Sequence, residues 1–176
     1  GTSHFLGQNF SRVQGIKFQD QNENEQFAWT TSWGVSTRLV GALIMTHSDD
    51  DGLIVPPRLA PKHVVLLPIT RSDEDRPKVL EYCESLKREL EAQIYAGENV
   101  RVLLDNRDIR GGDKNWQHIK KGVPLRAEIG PRDIEKNGVF LARRDTGEKK
   151  GVNRNEFVAN INNTLKEIQI GLFQRA

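Results

Sequence analysis

The sequence holds one cysteine, Cys83, and one methionine, Met45, in 176 residues. A single thiol excludes an internal disulfide and a zinc site built on cysteines, and it fits a reducing compartment, for which the cytoplasm is the expectation. No apolar run approaches the roughly 20 residues that cross a bilayer, and no signal-peptide pattern is present, so no membrane partner is expected. A phosphate loop is missing too: Gly111-Gly112-Asp113-Lys114 has the composition but not the G-x-x-x-x-G-K-[ST] spacing. His47 with Asp49, Asp50 and Asp51 does not make a metal site, because consecutive aspartates point in different directions and no second cluster offers ligands. A solvated loop after a helix is expected there. There is no internal repeat and no low-complexity tract. With Met45 as its only methionine, the chain reads as a fragment, and a last helix without a stop signal suggests truncation at that end as well.

What is present is a soluble composition, 36% hydrophobic and 28% charged, with charge shared unevenly. Residues 1–99 carry 10 Lys and Arg against 14 Asp and Glu, whereas 100–176 carry 16 against 10. A basic half points to a polyanionic partner for the C-terminal part. Along the chain, Ile16 to Asp20 and Phe27 to Trp33 read as an antiparallel hairpin. Prolines 56, 57 and 61 then hold an extended connection. Beyond it, Val64 to Ile69 is a continuous apolar run of the kind covered on both faces. A helix from about Pro77 to Ala96 places Val79, Cys83, Leu86, Leu90 and Ile94 on one stripe, and Val100 to Asp105 completes a βαβ unit. Cys83 on that stripe reads as a core residue. A short helix around Asn115 to Lys121, strands at Leu125 to Ile129 and Val139 to Ala142, and a long helix with Phe157, Ile161, Leu165, Ile168 and Leu172 follow. The second part is expected to be a three-layer α/β domain with a mixed five-stranded sheet.

The stretch Trp33 to Met45 is different in kind: a strand end runs through Gly34 into an apolar helix, with Ser36 as a suitable N-cap and Leu39, Leu43 and Ile44 on one face. Arg38 lies in the first turn, where the helix dipole disfavours a cation. Unpaired N–H groups, hydroxyls and this guanidinium suit a phosphate.

Four separated segments resemble one family in its own order. Thr31-Ser32-Trp33-Gly34-Val35-Ser36-Thr37-Arg38-Leu39-Val40-Gly41-Ala42-Leu43-Ile44 is similar to motif 3 of class II aminoacyl-tRNA synthetases, specifically the prolyl-tRNA synthetase family of archaeal and eukaryotic-like type. Gly1-Thr2-Ser3-His4-Phe5-Leu6-Gly7-Gln8-Asn9-Phe10-Ser11 resembles its amino-acid pocket segment. Leu53 to Pro61 is similar to its interdomain connection. Lys121-Gly122-Val123-Pro124-Leu125-Arg126 with Ile129-Gly130-Pro131-Arg132-Asp133 resembles its anticodon-binding domain. Residues 1–60 are then expected to be the end of an antiparallel-sheet catalytic domain, and 61–176 the anticodon-binding domain.

The resemblance implies proline ligation to tRNA(Pro) through an adenylate, with ATP and Mg2+, by a cytoplasmic homodimer. It puts Arg38, the catalytic candidate, on ATP together with Thr2, Ser36 and, more weakly, Gln8; His4, Ser32, Trp33 and Gly34 would line the proline pocket. It matches the family's anticodon contacts at Arg126, Arg132 and Asp133; beside them in the basic half, Trp116 supplies a stacking surface and Lys120, Lys121 and Arg143 further cations for an RNA loop. One departure stands out: the family's Trp-Glu-Leu run before Lys-Gly-Val-Pro is His118-Ile119-Lys120, so a glutamate that would read guanine is Ile119. Rival readings are a non-catalytic RNA-binding module and a sister synthetase for threonine, glycine or histidine. Motifs 1 and 2 are not among these residues. The 176 residues alone are therefore expected to form no prolyl-adenylate, which proline-dependent ATP–pyrophosphate exchange measures.

Overall fold

The computed structural model describes residues 1–70 and 72–176 and divides them into two compact units, Gly1–Leu43 and Ile44–Ala176. In the first, β1 (Thr2–Gly7) is followed by α1 (Asn9–Gln14), β2 (Lys17–Gln19), β3 (Glu25–Phe27), β4 (Thr30–Gly34) and α2 (Arg38–Thr46), whose last residues enter the second unit. Gly15 closes α1 at φ 71°, the left-handed geometry that glycine adopts without penalty. The hairpin turn before β3 is organised by Asp20, whose Oδ1 accepts from the backbone N–H groups of Asn22 and Asn24. The aromatic stretch expected as one return strand is two strands. Its first part, β3, pairs with β2, whereas β4 pairs with β1, a strand the polar sequence did not announce.

The second unit begins with a hairpin, β5 (Ser48–Asp49) and β6 (Gly52–Leu53), then builds β7 (Val64–Pro68), α3 (Arg76–Glu91), a hairpin of β8 (Ile94–Tyr95) and β9 (Glu98–Asn99), and β10 (Val102–Leu104). There follow α4 (Gly111–Lys120), β11 (Leu125–Ile129), α5 (Pro131–Glu135), β12 (Gly138–Arg143), β13 (Lys149–Asn153) and α6 (Arg154–Arg175). The sheet is five-stranded and mixed, in the order β10-β7-β11-β12-β13, with β10, β7 and β11 parallel and β12 and β13 antiparallel. This is the expected α/β sheet. The α3 helix stops sooner than its stripe suggested, because Ala96 and Gly97 at φ 51° and 89° make a tight turn that pulls Ile94 into the β8–β9 hairpin, half exposed.

One face of the sheet presents Val64, Leu66, Leu125, Ala127 and Ile129 to the buried stripes of α3 and α6. Each large aliphatic side chain in this core contributes roughly 1.5–3 kcal/mol. Cys83 is buried there, and burial pushes its thiol up to about 12, so it is a core residue and not a nucleophile. The other face is covered by α4 over Val65 and Leu67.

Residues 48–53, which precede the boundary expected at residue 60, pack against α4 within the second unit. Gly52 lies against the backbone of Lys120 and Gly122 against that of Leu53, each so close that a Cβ would overlap it at 2.7 or 2.6 Å. Both glycines also have positive φ. Asp49, expected in a solvated loop, accepts from Nη1 and Nη2 of Arg144 at 2.7 and 2.5 Å, while the same guanidinium donates to the carbonyls of Ile119 and Gly52. Arg144 is buried, so its charge depends on these acceptors. The guanidinium lowers the Asp49 carboxyl to about 2 from 3.8. A depressed folded value stabilises above the unfolded one. Asp49→Ala is expected to cost about 2 kcal/mol of unfolding free energy. The difference from the parent chain should be full above pH 3.8 and shrink as pH falls through about 2, as followed by urea unfolding.

Candidate nucleic-acid interface

The parallel strands decide where a ligand fits. From β7 the chain crosses through α3 to β10 on one side and returns from β10 through α4 to β11 on the other, and open α/β sheets leave a crevice where the order reverses, outside the strands' carboxyl ends. A cavity of about 350 Å3 is found at that place, lined by Thr70, Arg76, Asn106, Arg107, Arg110 and Lys114 among others. Four of its described lining residues are cationic and one, Asp108, is acidic. Lys114 is 7% exposed; its Nζ donates to the Asp105 carbonyl at 3.4 Å and joins no ion pair among the described residues. Gly111, the first residue of α4, also borders the cavity.

The rim is held by Asp105, at the end of β10 and 4% exposed. Arg107 donates to it through Nε and Nη2 at 2.8 and 2.6 Å, and His118 Nε2 donates at 2.8 Å, leaving His118 Nδ1 buried without a partner. The Arg107 guanidinium holds the Asp105 carboxyl far below the usual carboxylate range, against the opposing effect of burial.

Beside the crevice, the second face of β11 carries Arg126 and Glu128, opposite Ala142 and Phe140 of β12. Arg126 lies under α4, 4% exposed; its Nε donates to Asn115 Oδ1 at 2.7 Å and its Nη1 is buried without a partner. Burial, with Arg144 nearby, pushes this guanidinium below its usual range. Asn115 Nδ2 in turn donates to Glu128 Oε1 at 2.6 Å. Of the expected anticodon residues, Asp133 lines a second cavity of about 390 Å3 with Arg132, Glu128 and Phe140. Its Oδ2 accepts the Gly130 N–H, while its own N–H donates to the Gly130 carbonyl, so the two residues fasten the start of α5. Trp116 and Lys120 are exposed on α4, one turn apart. Sequence reasoning missed Asn115, Glu128, Phe140 and the Asp105 cluster. The available signal was two charged residues alternating with apolar ones along β11.

In the first unit, β1 and β4 bring the other expected residues into register: Thr2 faces Gly34, Ser3 faces Trp33 and His4 faces Ser32. Period two places Thr2, His4, Ser32 and Gly34 on one face and Trp33, 80% exposed, on the other, so the tryptophan does not join His4. The first turn of α2 is closed by the carbonyls of Ser36 and Thr37, which accept from the N–H groups of Leu39 and Val40; among the described residues the Ser36 hydroxyl accepts no capping bond from a backbone N–H. Arg38 is exposed and joins no ion pair among the described residues. Gln8 is committed locally, donating to the Phe27 carbonyl at 2.7 Å and accepting from Arg12 at 3.0 Å.

Removing the charge at the rim tests this account of the second unit. Asp105→Asn is expected to lower the free energy of unfolding by about 1–3 kcal/mol in urea, since Arg107 loses its ionic acceptor and His118 its charged partner.

Residues 63–164 match the family model described as "Anticodon binding domain". Across the whole chain the sequence is 61% identical to a proline–tRNA ligase of Bdellovibrio bacteriovorus, of which it covers 36%. It is 58% identical to proline–tRNA ligase 2 of Anaeromyxobacter dehalogenans and to a proline–tRNA ligase of Rhodopirellula baltica, covering 35% of each. The chain thus spans about a third of the length of these curated relatives. Their identity supports the proline reading over the sister synthetases and over a free-standing RNA-binding module. With a mixed five-stranded sheet and a matching sequence over most of it, the chain belongs to the family of anticodon-binding domains of class II aminoacyl-tRNA synthetases.

Proposed function

We propose that this chain is the C-terminal part of a proline–tRNA ligase and that the Ile44–Ala176 unit grips the anticodon arm of tRNA(Pro). The observation that carries the reading is a cationic crevice beside a strand face with fixed carboxylates, all within the unit that matches the anticodon-binding family. RNA loops are held in this way: cations meet the phosphates, and splayed bases meet side chains that read their edges. Proline codons begin with two cytosines, so the anticodon carries two adjacent guanines. Arg126 and Arg132 supply donors suited to guanine O6 and N7, and Asp133 supplies an acceptor for its N1 and N2 donors. Trp116 offers a stacking face and Lys120 a phosphate partner. Because Arg126 is buried, its unpartnered Nη1 would have to be uncovered for direct contact, and an acceptor there would relieve a donor that now has none.

In the first unit, Arg38 with Thr2 and Ser36 would meet ATP, with Gln8 the weaker candidate because of its local bonds; His4, Ser32 and Gly34 would line the proline side, with Trp33 on the opposite strand face. The guanidinium of Arg38, exposed and in no ion pair among the described residues, suits an anionic triphosphate. Mg2+ would arrive with that nucleotide and offset its charge. Residues 1–60 and 61–176 would divide these tasks, in a cytoplasmic homodimer. Among the described residues no helix is long and apolar enough to cross a membrane.

The test is binding of labelled tRNA(Pro) to the 176-residue chain across a salt series, against a transcript whose two anticodon guanines are replaced by adenines. Affinity should fall with salt. Each guanine replacement should weaken binding by about 1–3 kcal/mol, as should Arg126→Ala. Unchanged affinity of Arg126→Ala at physiological salt would remove Arg126 from the site.

A further inference from the structure

The cavity at the Glu128 end of the β11 face is more acidic than the cationic crevice and has an aromatic ring in its lining. Its floor is Phe140, an aromatic ring 39% exposed in the middle of a sheet, directly opposite Glu128 in the antiparallel register. Pro131 and Ile69 line it as well, and three carboxylates, Asp75, Glu128 and Asp133, border it with Arg132 as the one cation among its described lining residues. An exposed phenylalanine facing an opening of about 390 Å3 is a surface on which a flat ring can stack.

Glu128 is not free to wander in this cavity. Asn115 donates to its Oε1 at 2.6 Å, and the same Asn115 amide accepts from Arg126 Nε at 2.7 Å. The two bonds together orient the amide: only one placement of its oxygen and nitrogen satisfies a guanidinium on one side and a carboxylate on the other. The carboxylate is thereby held with its second oxygen, and the remaining lone pair of the first, available to a ligand. Paired acceptors on one group select a ligand edge with paired donors. Among the RNA bases, guanine alone presents two adjacent donors, N1–H and N2–H, on its Watson–Crick edge; adenine, cytosine and uracil each meet the carboxylate with at least one acceptor beside their donor.

We infer that Glu128, positioned by Asn115 and facing a base stacked on Phe140, is a guanine-reading carboxylate of this domain. The inference rests on the RNA reading of this face given above. It also answers what Ile119 leaves open, since the acceptor absent from α4 is supplied from β11, on the same sheet face as Arg126.

The probe is an RNA hairpin bearing the anticodon loop of tRNA(Pro), with either anticodon guanine replaced singly by inosine, which lacks the N2 amino group. The 176-residue chain should bind the guanine hairpin about tenfold more tightly than the inosine hairpin at one of the two positions. Glu128→Gln keeps the acceptor for Asn115 but turns a donor toward the base. It should lose about tenfold in affinity and bring the guanine-to-inosine ratio at that position close to one. Asn115→Ala should move the ratio in the same direction by a smaller factor. Phe140→Leu should weaken both hairpins equally, with the ratio kept, which separates stacking from edge reading and guards against a variant that merely unfolds. Glu128→Gln with an unchanged ratio overturns the assignment while leaving RNA binding intact. A parent chain that binds no hairpin overturns the RNA reading itself and this assignment with it.

Discussion

Strand β11 has to satisfy two incompatible environments at once. It lies at the centre of the sheet, between β7 and β12, so both of its edges are paired. Leu125, Ala127 and Ile129 point into the aliphatic core beneath α3 and α6, while Arg126 and Glu128 point under α4. A slip of one residue would exchange the two sets, burying a guanidinium and a carboxylate among leucines. The register therefore fixes the core and the candidate interface together. The residues of the interface are placed by the same hydrogen bonds that place the core.

The cost of keeping charge on the α4 side is met by close partners. Arg144 is surrounded by Asp49 and two carbonyls, Asp105 by Arg107 and His118, and Arg126 by Asn115. Breaking any of these leaves a buried charge with too few partners, which costs more than the pair itself contributes. The Arg144 cluster also explains why residues 48–53 belong to this unit. The hairpin supplies the carboxylate, and glycines at 52 and 122 permit the backbone contact that brings it within reach. The two side-chain atoms on this side that are buried without a partner among the described residues, Arg126 Nη1 and His118 Nδ1, lie beside the candidate interface rather than in the aliphatic core.

In the first unit the restraints are sparser. Ser11 is its one buried residue among those described, and α2 has none, although its sequence is strongly apolar. What orders this unit is strand pairing between β1 and β4 and a handful of side-chain bonds from Gln8, Asp20 and Thr30. That pairing is also what aligns His4 with Ser32 and Thr2 with Gly34.

Much of the second unit was legible in the letters, because burial imposes a period. Val79, Cys83, Leu86 and Leu90, and then Phe157, Ile161, Leu165, Ile168 and Leu172, recur at helical spacing and all are buried. The apolar run at Val64 to Leu67 marked a strand covered on both faces, and β11 has the limits its alternation suggested. The sequence by itself thus determined the buried stripes of α3 and α6, the central strands and the candidacy of Arg126 and Asp133. Tertiary structure alone decided the rest: the polar strand β13, the division of Phe27 to Trp33 between two sheets, the capture of Asp49 by Arg144, and the Asn115 bridge between Arg126 and Glu128. The physical reason is range. Hydrophobic period is a local property of the chain, whereas a hydrogen bond between residues 11 or 95 positions apart exists only after the strands and helices have met.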